Sequence, residues 1–252
     1  MARISTTDLV NKVFMFCEAY SGVKFFPYQS QLSKRFIRSV IDNDGDEITA
    51  LQSRQSGKSE VISTTTGGMG IILPILANMP MFAGDKRLEP FKDGMLIGIF
   101  APALHQSQIT FNRMKTRMTS KNAQAVMNDP DIMVSFDTNN GQNIVLSNGT
   151  VITSMSASEG SNIEGKSYHL IIVDEAQDVG NFKYSKSISP MGAFYNATKI
   201  LIGTPSTSKG FFYNSIERNK RNYINKTGRR NHFEYNWEVV VKYNDKYAKY
   251  IQ

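Results

Sequence analysis

The chain has 252 residues, 40% of them hydrophobic and 20% charged, and nothing in it is repetitive or low in complexity, so a packed core is expected and a fibrous or disordered chain is excluded. Its formal net charge of +7 favours an acidic partner, with nucleic acid ahead of an anionic membrane surface. The single cysteine, Cys17, excludes an internal disulfide framework and reads as a small buried hydrophobe in a reducing compartment.

Residues 5 to 20 and 28 to 41 have the spacing of amphipathic helices around the loop YSGVKFFPYQ, and DNDG at 42 to 45 reads as a turn. A β-favouring run, Ile48 to Leu51, enters LQSRQSGKS, and Lys58 to about Leu73 reads as the helix that follows, with Gly67, Gly68 and Gly70 weakening its far end. The apolar run Met69 to Met81 is interrupted by Gly70, Pro74, Asn78 and Pro80, which argues against a membrane span, and the N-terminus lacks a signal-peptide pattern. A soluble intracellular protein is the resulting expectation.

MLIGIF at 95 to 100 is the continuous apolar run of a central parallel strand, and residues 104 to 119 have helical spacing. QNIVLS and TVITSMS alternate in polarity and are joined by Asn148-Gly149, a strong hairpin signal. HLIIVDEAQD and KILIGTPS each carry an apolar run into a polar or glycine-containing turn. Strands alternating with helices imply a three-layer α/β domain with a mainly parallel sheet, whose ligands sit at the carboxyl ends of the strands.

Those strand ends carry the chemistry. Gly57-Lys58-Ser59 is the ending of a phosphate-binding loop, although Gln52 stands where the first glycine belongs and Arg54 occupies the middle. Lys58 is placed to reach the β- and γ-phosphates of a nucleotide at a helix N-terminus, and Ser59 to hold Mg²⁺. In the run Ile171 to Glu175, Asp174 would hold Mg²⁺ through water and Glu175 would polarise the attacking water, a pairing that simple helix capping does not require. Thr204 in Gly203-Thr204-Pro205-Ser206 can lie beside the γ-phosphate, although those residues also make an ordinary turn. Upstream, Gln29 can read an adenine edge with one donor and one acceptor, and Gln31 offers the same groups, although either also suits an exposed helix start.

The order PYQ, SRQSGKS, FAPALHQSQ, NIEGKSYHLIIVDEA and LIGTPSTSKGFFY resembles the ATPase domain of the large terminase subunit, the DNA-packaging motor of tailed bacteriophages, over roughly residues 25 to 215. An arginine within R-Q-x-G-K-[ST], with no first loop glycine, is the most specific part of the likeness. The resemblance implies a P-loop NTPase core of the RecA-like, additional-strand, catalytic-glutamate type that binds ATP and Mg²⁺. It implies Arg54 on the γ-phosphate, Gln29 as the adenine reader, Thr204 in a coupling motif, and a loop of Ser53, Arg54, Gln55, Ser56, Gly57, Lys58 and Ser59 around the phosphates. Double-stranded DNA, a portal protein, a small terminase subunit and self-association into a pentameric ring are the implied partners, although the isolated domain need not assemble. The implied location is the host cytoplasm, docked on the procapsid portal.

One departure concerns the arginine that often precedes the acidic motif and acts on a neighbour's ATP. Glu164-Gly165 stands at that place, which leaves Lys166, Arg113 and Arg117 as substitutes. The residues after Thr204 are too few for the nuclease domain that such subunits carry, so a motor half alone is expected, with a core over 1–215, its N-terminal helical segment over 1–44, and a basic lid or linker over 216–252. In that last segment Lys220, Arg221, Lys226, Arg229 and Arg230 could contact DNA or a neighbour, or form a solvated face. A DExx-type helicase core shares the loop and the carboxylate pair, but it binds ATP between two such cores, and the remaining residues cannot form a second.

Overall fold

The computed structural model describes residues 4–244 together with Tyr247 and Lys249. Ser5 starts α1 (Thr6–Ser21) by accepting the Asp8 N–H at 3.1 Å, and Gly22 ends it at φ +68°. α2 (Pro27–Asp42) opens on proline, whose fixed φ suits a first helical turn. β1 (Glu47–Gln52) leads through the 53–57 loop into α3 (Lys58–Asn78). Then come β2 (Leu96–Ala101), α4 (Leu104–Met118), α5 (Lys121–Met127), β3 (Phe136–Asn139), β4 (Asn143–Leu146), β5 (Val151–Ser156) and β6 (Leu170–Val173). α6 (Asn181–Lys183) passes into a π-helical turn, Tyr184–Ile188, before β7 (Thr198–Gly203), α7 (Phe211–Ile224), β8 (His232–Tyr235) and α8 (Trp237–Val241).

The strands form one 8-stranded sheet in the order β3-β4-β5-β2-β6-β7-β1-β8. From β5 to β8 every neighbouring pair is parallel, and only β3 and β4 are antiparallel additions at one edge. The Asn148-Gly149 turn joins β4 to β5 as expected, with Gly149 at φ +84°. Successive residues of the central strands face opposite cores. Leu170 and Ile172 of β6 join α1 to α4 on one side, while Ile171 and Val173 meet Tyr184, Ile188, Phe212 and Ile216 on the other. Helices on both faces of a mainly parallel sheet make the three-layer α/β architecture that the alternation predicts.

α3 runs five residues beyond the expected end near Leu73, through its glycines and past Pro74. The glycines are where α1 makes its closest approach: a Cβ on Gly68 would overlap the Cys17 sulfur and lie 3.0 Å from its Cα, and one on Gly67 would overlap the Tyr20 hydroxyl. Helix propensity is lost there and close helix packing is gained. α3 is long and apolar enough to cross a membrane, yet most of it is buried inside the fold, as in the core helix of a globular protein.

The C-terminal part differs from its sequence reading. The expected boundary at 215/216 falls inside α7, and β8 extends the main sheet beside β1. The apolar run in WEVVV is helical, because the Asn236 side chain accepts the Val239 N–H at 3.1 Å and caps α8. Asp245, within the 216–252 segment, lies outside the described residues.

Because β2, β6, β7 and β1 are adjacent and parallel, their carboxyl ends bring residues 102–106, 174–178, 204–210 and 53–57 to one edge.

Candidate functional site

The 53–57 loop is held from beneath by side chains. Gln52, standing where a loop glycine was missing, is buried, and its Oε1 accepts the Ser56 hydroxyl at 2.9 Å. The Ser56 carbonyl in turn accepts the Tyr28 hydroxyl at 2.8 Å and the Gln29 Nε2 at 3.3 Å. The Ser53 N–H donates to the Tyr235 carbonyl at 3.0 Å, tying the loop to β8. Gln55 at φ 60° and Gly57 at φ +84° make the left-handed turns that start α3, and a Cβ on Gly57 would overlap the Gln29 amide. The first-turn N–H groups of α3 and its dipole therefore point at the strand-end edge, an arrangement that suits an anion.

Opposite the loop, Asp174 is buried, accepts the Thr110 hydroxyl at 2.6 Å and the Glu175 N–H at 3.0 Å, and has its carboxyl pushed up mainly by burial. Glu175 takes a left-handed backbone, φ 49° and ψ 46°, a strained conformation for a non-glycine residue that persists where its surroundings hold it. Its carboxylate meets Lys58 Nζ at 3.0 Å and the Gln177 Nε2 at 2.8 Å. Burial alone would raise its pKa, but the Gln177 amide, the Lys58 charge and the Thr204 hydroxyl together hold it below the usual range.

Between loop and carboxylates lies a cavity of about 430 Å³ lined by Arg54, Ser59, Gln106, Ile109, Asp174, Glu175, Gln177, Asp178 and the 204–206 turn. Of the residues singled out in the sequence, the fold brings Arg54, Ser59, Asp174, Glu175 and Thr204 to this cavity, with Lys58 joined to it through Glu175. Ser53, Gln55, Ser56 and Gly57 form the loop beside it. Gln29 lies under the loop, outside the lining, with Oε1 accepting the Phe26 N–H at 3.0 Å and Nε2 on the Ser56 carbonyl. Gln31 is on the exposed side of α2. Sequence reasoning missed Thr110, Gln106 and Gln177. The last two stand inside the quoted runs FAPALHQSQ and HLIIVDEAQD, where their spacing from the strand ends was the available signal.

The cations named in the sequence divide into two groups. Glu60 binds Arg117 through two contacts, at 2.8 and 3.0 Å, and lies 3.8 Å from Arg113, while Lys166 is exposed and Glu164 accepts the Ser187 hydroxyl at 3.0 Å. In the C-terminal segment Arg229 bridges Asp42 at 2.7 Å and Asp44 at 3.0 Å, Lys220 pairs with Glu234 at 3.1 Å, and Arg230 covers the Phe233 ring at 4.8 Å.

Comparisons with known proteins agree with this fold. Among solved structures, the Thermus phage P74-26 large terminase ATPase domain is 17% identical, with a TM-score of 0.61 over 92% of this chain and 89% of that one. The HK97 bacteriophage large terminase is 18% identical, with a TM-score of 0.60 over 90% of this chain, which spans 43% of that protein. The large terminase of a thermophilic bacteriophage, solved in complex with ADP, is 13% identical, with a TM-score of 0.53 over 90% of this chain and 50% of that one. At these identities the likeness is one of fold. No curated protein sequence matches. The family described as "Terminase large subunit, T4likevirus-type, N-terminal" matches residues 49–248, nearly the whole span from the phosphate loop onward, and the chain belongs to it.

Proposed function

We propose that this chain is the ATPase motor domain of a viral large terminase, hydrolysing ATP to drive double-stranded DNA into a procapsid. The observation that carries the reading is the 3.0 Å pair between Lys58 and Glu175 at the cavity that also collects Ser59, Asp174, Arg54 and Thr204. Without nucleotide each partner supplies the other's counter-charge. With nucleotide, Lys58 would turn to the β- and γ-phosphates and release Glu175 to orient and deprotonate the attacking water. A carboxylate already held below its usual range is in the ionised form that this role needs. Arg54 would place its guanidinium on the γ-phosphate, and Thr204 would register whether that phosphate is present.

Ser59 and Asp174 offer hard oxygen donors at one cavity, and burial pushes the Asp174 carboxyl up, so a cation there would offset its desolvation. Both features fit Mg²⁺, which when bound supplies positive charge to the β- and γ-phosphates. Gln29 would have to exchange its present backbone partners to read an adenine. The thermophilic-phage large terminase solved with ADP has a related fold, and this supports a nucleotide as the ligand of the cavity.

Portal protein, small terminase subunit, double-stranded DNA and a ring of copies are the partners we propose, with docking on the portal in the host cytoplasm. The cation acting on a neighbour's nucleotide would be Lys166, Arg113 or Arg117. Lys166 is exposed with no ion pair among the described residues, whereas Arg117 would first have to leave Glu60. The test is ATP turnover by the purified chain beside Glu175→Gln: turnover in the parent and its loss in the variant are expected. Equal rates would reject the reading, and stimulation by single-stranded DNA in place of portal or small subunit would favour the DExx-helicase alternative.

A further inference from the structure

Gln177 occupies the wall between two cavities. The larger is the one described above, and the second, of about 190 Å³, lies under α7 and is lined by Leu51, Phe212 and Ile216 among others; Gln177 and the 204–206 turn line both. Its Nε2 donates to Glu175 Oε2 at 2.8 Å and to Asp178 Oδ2 at 2.9 Å, while its Oε1 accepts the Thr204 N–H at 3.2 Å. The amide can sit only this way round, because a carboxylate needs a donor and a backbone N–H needs an acceptor. Gly203 makes room for it: a Cβ there would overlap the Gln177 oxygen and lie 2.8 Å from the Phe212 ring of α7.

From this geometry we propose that Gln177 is a positioning residue that ties the Glu175 carboxylate to the 203–206 turn through the two ends of one amide. The inference rests on the ATPase reading for its consequence in turnover, but not for the bridge itself. When Lys58 is drawn to a phosphate, Glu175 loses that partner and keeps the Gln177 amide, with the Thr204 hydroxyl beside it, so Gln177 holds the carboxylate in place for the water. The same amide then carries any rotation of Glu175 into the Thr204 backbone, and through Gly203 and Phe212 to the start of α7. One side chain thus joins the residue proposed to act on water to the turn proposed to sense the phosphate.

The test uses the full chain and two variants that remove different halves of the bridge. Gln177→Leu loses both contacts, whereas Gln177→Glu keeps an acceptor for Thr204 and loses the donor to Glu175. In the nucleotide-free protein, hydrogen exchange at the Thr204 amide, followed by NMR, is expected to quicken in Gln177→Leu. In steady-state hydrolysis, Gln177→Glu is expected to lower kcat roughly ten- to a hundredfold with KM for ATP nearly unchanged, the pattern of lost positioning as distinct from lost binding. Gly203→Ala, which displaces the amide and leaves Gln177 in the sequence, should reproduce both effects and stands in if Gln177→Leu fails to fold. Unchanged Thr204 exchange in Gln177→Leu, or an unchanged kcat in Gln177→Glu, would overturn the proposal. A parent that does not hydrolyse ATP but shows the Thr204 exchange difference would reject the ATPase reading and leave the bridge standing.

Discussion

The loop over residues 53–58 and the C-terminal basic segment both adjoin β1, and both are polar and carry cations, yet their charges do opposite things. In the loop, Lys58 meets a carboxylate that itself faces the cavity, and Arg54 is exposed on the cavity wall with no ion pair among the described residues. In the C-terminal segment, Arg218, Lys220 and Arg229 each have a carboxylate partner from within the fold. Positive charge in the first region stands at the cavity, whereas Arg218, Lys220 and Arg229 in the second tie the protein to itself. A count of lysines and arginines does not distinguish the two cases.

The sharpest way to break this contrast is to remove one cation from each side. Lys58→Ala is expected to lower ATP turnover about a thousandfold, in the range that loss of one electrostatic stabiliser produces. Arg54→Ala is expected to abolish hydrolysis while the circular dichroism and melting temperature stay at parent values. Arg229→Ala should leave turnover at the parent rate, and a large loss there would put the basic segment in the site after all.

Stability should separate buried cations from exposed ones. Arg35 is mostly buried, bonds Asn231 at 2.9 Å and lies 3.3 Å from Asp44, with Asp46 as a further partner, so Arg35→Ala is expected to cost about 3 to 5 kcal/mol in denaturant unfolding. Arg229 shares Asp44 but is half exposed, so Arg229→Ala should cost less than about 1 kcal/mol, with less effect still at high salt. Equal costs would mean that the segment contributes more to the fold than its exposure allows.

How far the sequence could show this depended on the range of the interactions. Lys58, Ser59, Asp174, Glu175 and Thr204 were legible because each follows a strand within a few residues, and parallel strands gather their ends. Arg229 and Asp42 are 187 residues apart, and no local pattern announces such a pairing. Gln29 was legible as chemistry but not as geometry, because its capping contact with Phe26 and its support of the loop compete with a ligand for the same amide. Gly67 and Gly68 read as helix breakers because propensity is a local property and their packing against Cys17 and Tyr20 is not. In the run Val239 to Val241 the local β-branching favours a strand, yet one asparagine cap starts a helix there.

The smallest expected effect concerns pH, again at the basic segment. Burial holds His232 below its ordinary value, and its Nδ1 lies 2.9 Å from the Thr49 hydroxyl. The folded form therefore keeps this ring neutral where the unfolded chain would protonate it, so its contribution is present above about pH 6.5 and is lost as the pH falls below that. Melting temperature measured against pH should show a shallower acid limb in His232→Asn than in the parent. An identical slope would remove His232 from the account.

The most direct measurement is a structure of the chain with a non-hydrolysable ATP analogue and Mg²⁺. Lys58 Nζ is expected to leave Glu175 for the β- and γ-phosphates, Arg54 to turn into the cavity, and Gln177 to keep its bond to the freed carboxylate. An analogue bound elsewhere, or bound with the Lys58–Glu175 pair intact, would contradict this expectation.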